Sequence, residues 1–226
     1  MAARLAMLVD LRRCVGCTSC QVTCKMENGA PVGNFRTRVE FADVGAFPDA
    51  KRFFLPLFCN QCESAPCLRP CPVPGATYRA EDGTVKVNRD LCIGCGKCVN
   101  SCPFGARYLH PYLMVKNDPK PYYKAVPELK GKPVASLRVA DKCDWCADRR
   151  AQGDEPACAR NCFGKAIVFG DTNDPKSRIS QLLAAQKTRF VNEGDRTKSR
   201  VFYVAADPAA FDAADAPVNP EISSKP

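Results

Sequence analysis

The sequence predicts an α+β fold of loops, short helices and small hairpins, arranged as two intertwined modules. Three observations predict it. Sixteen cysteines stand in four groups of four, the stretch between the second and third groups reads strand–turn–strand, and a helix pattern and a strand pattern of ordinary length follow the last group.

The groups are Cys14-x2-Cys17-x2-Cys20-x3-Cys24, Cys59-x2-Cys62-x4-Cys67-x3-Cys71, Cys92-x2-Cys95-x2-Cys98-x3-Cys102 and Cys143-x2-Cys146-x11-Cys158-x3-Cys162, with no cysteine left over. Three closely spaced thiolates let one loop wrap three corners of an iron–sulfur cubane, and Gly16, Gly94 and Gly96 permit the tight curvature that turns amides toward sulfur. The fourth cysteine of each group is expected on the short helix that follows, facing away from its own loop and toward a second cluster. The first and third groups have the spacing of bacterial two-cluster ferredoxins, in which the fourth cysteine ligates the neighbouring cluster. The other two are the same motif with a longer gap before the third cysteine. Pro72 and Pro103, directly after Cys71 and Cys102, match the Cys-Pro ending of that run. The modules are therefore expected to be ferredoxin-like, and sixteen thiolates match the corners of four [4Fe-4S] clusters.

Other uses of cysteine fit less well. Zinc sites take four ligands in two separated pairs and often recruit histidine, and this chain has one His. Disulfide frameworks belong to short secreted chains, whereas 226 residues are enough for one or two ordinary cores. A radical-SAM triad is absent, because Glu27, Pro74, Gly105 and Lys165 occupy the positions of its third cysteine.

Along the chain, Thr77-Tyr78-Arg79, Glu81-Asp82-Gly83 and Thr84-Val85-Lys86-Val87 read as strand, tight turn and strand, joining the second group to the third. Residues 59–102 are accordingly the inner module, and by elimination the first and fourth groups form an outer module from 1–58 and 103–205. Residues 25–58, with a strand near 36–41, and residues 103–142, rich in Tyr, Lys and Pro, are expected as ordered surface loops that cover their own module or dock a partner. Residues 177–186 carry an amphipathic helix pattern, 200–205 a strand pattern, and 206–226 form an extended tail rich in Ala, Asp and Pro. His110, followed by Pro111, is read as a surface or packing residue rather than a ligand, and Trp145 as a shield keeping water from a cluster.

The formal charge of +9 suggests an anionic partner. Nucleic acid is set aside, since no basic run is interleaved with stacking aromatics. Four cubanes at about −2 each would bring the filled protein to about +1, so the basic excess reads as compensation for buried anions. No window approaches the roughly 20 apolar residues of a membrane helix, because the most apolar stretch, 53–58, is broken by Pro56. Cys14 arrives before any apolar signal core, and Arg12-Arg13 is a poor twin-arginine signal.

The four groups, together with the run Glu27-Asn28-Gly29-Ala30-Pro31-Val32-Gly33, with Arg36-Thr37-Arg38-Val39, with Phe47-Pro48 and with Phe169-Gly170-Asp171-Thr172-Asn173-Asp174-Pro175, resemble a known family. It is the iron–sulfur beta subunit of molybdopterin oxidoreductases of the DMSO reductase superfamily, which serve anaerobic respiration. The resemblance runs over about 5–183 and is strongest toward the polysulfide, tetrathionate and arsenate reductase subunits, which lack the terminal transmembrane helix of the membrane-bound formate dehydrogenase subunit. It implies four ligand sets: Cys14, Cys17 and Cys20 with Cys162; Cys143, Cys146 and Cys158 with Cys24; Cys92, Cys95 and Cys98 with Cys71; and Cys59, Cys62 and Cys67 with Cys102. Some relatives have Trp at the position of Cys95 and hold a three-iron cluster; here the cysteine is present. Phe163 departs from the Pro that many relatives place after the last cysteine, and changes no ligand.

What the resemblance implies for function is an electron relay without a catalytic site, passing electrons between a subunit with a molybdenum or tungsten bis-pterin cofactor and a membrane anchor that exchanges with quinone, or another redox partner. The complex would lie on the periplasmic side, co-exported with its catalytic subunit, or in the cytoplasm, and reach the membrane through a partner. The alternatives are a stand-alone polyferredoxin serving another oxidoreductase, a self-sufficient reductase, which would need an open iron or a fifth cofactor, and a purely structural metal protein. No nucleotide fingerprint is present, since Gly94-x-Gly96 lies inside a cysteine loop.

Overall fold

The computed structural model describes residues 3–31, 33–110, 139–191 and 196–205. Most of the 103–142 insertion and the whole 206–226 tail therefore lie outside the described residues.

The run Leu5–Asp10 forms strand β1, the centre of a four-stranded sheet in the order β8-β1-β10-β9. β1 pairs parallel with β10 (Val201–Val204) and antiparallel with β8 (Ile167–Asp171), and β10 carries the short β9 (Thr188–Arg189). Both faces of β1 are covered, which is why its sequence is continuously apolar rather than alternating. Ala6 and Leu8 pack with Val168, Val204 and Ile179 under helix α5 (Arg178–Ala185), while Met7 and Val9 join the main core. The amphipathic pattern at 177–186 thus became α5, with Ser177 as its N-cap accepting from the amide of Ser180.

The stretch 25–58 is more than a loop with one strand. Helix α1 (Ser19–Asn28) runs into it, and β2 (Thr37–Val44) pairs antiparallel over its full length with β3 (Lys51–Phe58). Pro56 does not break β3: the sheet has two strands, so each keeps a free edge where a missing N–H costs no ladder bond. Leu55, Leu57 and Phe58 are buried in the main core.

The expected hairpin forms as β4 (Thr77–Arg79) against β5 (Val85–Val87). A last pair, β6 (Arg107–Leu109) with β7 (Ala140–Lys142), brackets the insertion. Three short helices complete the described residues: α2 (Lys97–Asn100), α3 (Ala147–Ala151) and α4 (Ala157–Arg160). Among the described residues no helix is long and apolar enough to cross a membrane.

Candidate metal centres

The main core is unusual in its contents. Seven of its buried members are cysteines (Cys20, Cys59, Cys62, Cys67, Cys98, Cys143 and Cys158), packed with Met7, Leu55, Trp145 and Tyr203. None of the sixteen is in a disulfide. Burial raises the pKa values of Cys14, Cys20, Cys24, Cys62, Cys67, Cys98, Cys102, Cys143, Cys146 and Cys158, and the thiols that add to each shift are its neighbours.

Burial pushes Cys20 up to about 12, and the thiols that add to the shift are Cys14, Cys162 and Cys17. Cys24 rises to about 11 by burial, with Cys146 adding while the Thr37 hydroxyl and Arg36 oppose. Cys143 and Cys158 are both raised by burial first, then by Cys24 and Cys146, and Cys158 also by Cys143. Burial pushes Cys62 up to about 12, with Cys59, Cys102 and Cys67 adding. A small cleft is lined by Cys71, Cys92, Cys95 and Cys98. The groups thus interleave: Cys162 lies with the first loop, Cys24 with the fourth, Cys102 with the second and Cys71 with the third.

Neighbouring sets act on one another electrostatically in one order. Cys20 bears on Cys158, Cys59 on Cys143, and Cys67 on Cys98. The exposed thiols are Cys17 and Cys95, one in each terminal set, whereas Cys24, Cys143, Cys146 and Cys158 are all buried. Several exposed apolar side chains neighbour cysteines in the sequence, Val15, Val22, Met26 and Phe163 about the first set and its junction with the next and Leu91 and Ile93 about Cys92, while Phe41, Phe47 and Tyr78 are exposed elsewhere.

Local geometry shows how the loops achieve this. At Gly16, φ +67, a Cβ would collide with the Phe54 ring of β3, so glycine lets the hairpin close over the first loop. Trp145 and Cys146 both adopt left-handed backbone, φ 57 and 52, rare for such residues, which curls the fourth loop around its sulfurs. The fourth cysteines depart from expectation. Cys24 does sit on α1, but Cys102 and Cys162 lie just past α2 and α4, and Cys71 follows a turn; the third cysteines Cys20, Cys98 and Cys158 are the helical ones.

These sulfurs receive N–H groups, as iron-bound thiolates require. The Trp145 amide donates to Cys143 Sγ (3.4 Å), that of Ala140 to Cys92 Sγ (3.4 Å) and that of Ala166 to Cys162 Sγ (3.2 Å). Asn28 Nδ2 reaches Cys24 Sγ at 3.6 Å and Cys146 Sγ at 3.9 Å. A donor set of converging soft thiols with directed amides fits iron–sulfur clusters.

Other residues also hold the sites; Gln61 and Asp141 carried no sequence signal, and Arg36 and Asn28 entered only as members of the runs Arg36-Thr37-Arg38-Val39 and Glu27–Gly33. Gln61, fully buried between Cys59 and Cys62, donates to the Cys143 carbonyl (2.8 Å) and accepts from the Val85 amide (2.7 Å), tying three elements together. Arg36 pairs with Asp141 through Nη2 (2.7 Å) and Nε (3.0 Å) and donates from Nη1 to Asn28 Oδ1 (2.6 Å). Burial works against its charge, but Asp141 and Asp144 outweigh that and raise its pKa. His110 is a packing residue, 3.5 Å from the Asp141 carboxylate. Trp145 is fully buried, edge-on to Phe169 at 5.4 Å and beneath the Arg200 guanidinium at 5.2 Å.

Two families match the sequence: the 4Fe-4S binding domain over residues 85–108 and the 4Fe-4S dicluster domain over residues 112–172. Three relatives match over most of its length. The B subunit of the selenate reductase of Mesobacillus selenatarsenatis is 36% identical over 207 residues, covering 88% of this protein and 70% of the relative. The B subunit of the tetrathionate reductase of Salmonella typhimurium is 37% identical over 210 residues, with 91% and 74% covered. The corresponding B component of the polysulfide reductase of Wolinella succinogenes is 36% identical over 207 residues, with 90% and 95% covered.

Proposed function

The protein belongs to the family of iron–sulfur beta subunits of molybdopterin reductases, and on that premise we propose that it wires a molybdopterin catalytic subunit to a quinone-linked membrane anchor or another redox partner. Family membership makes it an electron-transfer subunit carrying [4Fe-4S] clusters and not the catalytic one.

We assign four clusters to four ligand sets: Cys14, Cys17, Cys20 and Cys162; Cys24, Cys143, Cys146 and Cys158; Cys59, Cys62, Cys67 and Cys102; and Cys71, Cys92, Cys95 and Cys98. When bound, the clusters supply one-electron transfer. What supports the reading is the order in which thiols of neighbouring sets act on one another, Cys20 on Cys158, Cys59 on Cys143 and Cys67 on Cys98, with an exposed thiol, Cys17 or Cys95, in each terminal set and the set of Cys24, Cys143, Cys146 and Cys158 buried. Exposed apolar residues close in sequence to both terminal sets, Val15 and Phe163 for one and Leu91 and Ile93 for the other, suit docking partners at each. In this reading residues 59–102 form an inner module nested within an outer one of 1–58 and 103–205, and the complex reaches the membrane through a partner.

The test is functional isolation. The full-length protein alone, purified without molybdenum or tungsten, is expected to take electrons from dithionite yet turn over neither selenate, tetrathionate, polysulfide nor arsenate. Turnover by the protein free of molybdenum and tungsten would refute the wiring assignment.

A further inference from the structure

Strands β6 and β7 place Arg107 directly opposite Lys142. Both are interior, at 1% and 2% exposure. Like charges facing each other across a strand pair destabilise it, and a buried charge without a counter-ion is costlier still. Among the described residues neither cation has a carboxylate within ion-pair distance: Asp141, the nearest along the strand, is held by Arg36 on the other side of the pair, together with Tyr108 and Arg89. Arg107 Nη1 donates to Thr77 Oγ1 (3.0 Å), and among the described residues its Nε and Nη2 have no hydrogen-bond partner. Lys142 Nζ donates to the Cys143 carbonyl (2.7 Å), which leaves its charge uncompensated.

What these cations face is sulfur. Burial works against the Arg107 charge, but the neighbouring thiols Cys67, Cys98 and Cys59 outweigh it and raise its pKa. Burial pushes the Cys67 thiol up, and the two cations that oppose the shift are Arg107 and Lys142. A cluster with four thiolates is an anion, and each electron it accepts adds a negative charge with no proton to cancel it. The arrangement is unfavourable for a protein of neutral thiols and favourable for one holding buried anions.

We propose that Arg107 and Lys142 are positioning residues that set reduction potentials: both lift the potential of the cluster on Cys59, Cys62, Cys67 and Cys102, and Arg107 alone also lifts that of the cluster on Cys71, Cys92, Cys95 and Cys98. The inference rests on the ligand sets proposed above, and net charge and hydrogen bonds to sulfur are among the quantities that set cluster potential.

The experiment is a potentiometric titration of the reconstituted full-length protein, followed by low-temperature EPR. Lys142→Met is expected to lower the midpoint of the cluster on Cys59, Cys62, Cys67 and Cys102, and Arg107→Gln that midpoint together with the one of the cluster on Cys71, Cys92, Cys95 and Cys98, each by at least a tenfold change in the reduction equilibrium, 59 mV for one electron. Lys142→Arg and Arg107→Lys keep wild-type midpoints. Loss of a cluster from Lys142→Met but not from Lys142→Arg also supports the proposal, because charge is then needed for assembly; loss from both overturns it. Midpoints that stay fixed, or four that move together, overturn it as well. A wild-type protein lacking four distinguishable clusters would instead bring down the ligand sets, so the two failures are separable.

Discussion

Replacing Arg36 by methionine tests how the hairpin β2–β3 is fastened to the buried thiols. The side chains of Arg36 and Asp141 are 7% and 5% exposed and meet through two short hydrogen bonds. Breaking a buried pair by removing one partner costs about 3–5 kcal/mol, because the other charge stays behind. Asp141 retains Tyr108 Oη at 2.6 Å and Arg89 at 3.5 Å, so Arg36→Met belongs at the lower end, about 3 kcal/mol. Asp141→Leu belongs higher, since Arg36 would keep only Asp144 at 3.3 Å and Asn28. The double variant removes both charges, leaves mainly the Tyr108 hydroxyl unsatisfied, and should cost about 1–3 kcal/mol. The measurement is urea unfolding of the cluster-loaded protein under anaerobic conditions, read by visible absorbance and far-UV circular dichroism. At a slope of about 1–3 kcal/mol per molar urea, Arg36→Met lowers the midpoint by about 1–3 M. A drop below about 0.3 M, or a double variant whose loss equals the sum of the two singles, would refute the reasoning.

Three further outcomes are expected. Cys102→Ala should damage the cluster of Cys59, Cys62 and Cys67 in EPR spectra, as Cys59→Ala does, while Cys92→Ala removes a different signal; if Cys102→Ala and Cys92→Ala abolish one signal and Cys59→Ala spares it, each group holds its own cluster. Trp145→Ala should cost about 3–5 kcal/mol and speed bleaching of the visible absorbance in air, whereas Trp145→Phe, still packed on Phe169, costs less and bleaches more slowly. Asp82, which opposes its burial by accepting from Thr84 and Arg150, has its carboxyl pulled down to about 2. A depressed carboxyl contributes stability that is present above its ordinary value of 3.8 and lost as pH falls through the folded value. The destabilisation by Asp82→Asn is therefore expected to be equal at pH 5 and pH 8, and a difference in urea midpoint shift between those two values would count against it.

The cysteine loops were legible because ligand spacing is a local property: three thiols within one loop need no knowledge of the rest of the sequence. The hairpin at Thr77–Arg79 and Val85–Val87, the helix after Ser177 and the strand Val201–Val204 were legible for the same reason. β1 and β3 were not. Residues 5–10 and 55–58 are covered on both faces, so their sequences lack the alternation that marks a half-buried strand, and a strand through Pro56 depends on a free edge that the sequence does not reveal. The links Arg36–Asp141 and Gln61–Cys143 span 105 and 82 residues, and the Arg107–Lys142 pairing closes over a long insertion. Such partners are set by tertiary docking, and nothing local distinguishes these arginines from those on the surface.

The most direct measurement of the central claim is the metal and sulfide content of the anaerobically purified and reconstituted full-length protein. Four all-cysteine cubanes predict about sixteen iron and about sixteen acid-labile sulfide per molecule, negligible zinc, and a broad absorption at about 400 nm that dithionite bleaches. Stoichiometric zinc with no such absorption, or iron saturating at about eight per molecule, would contradict it.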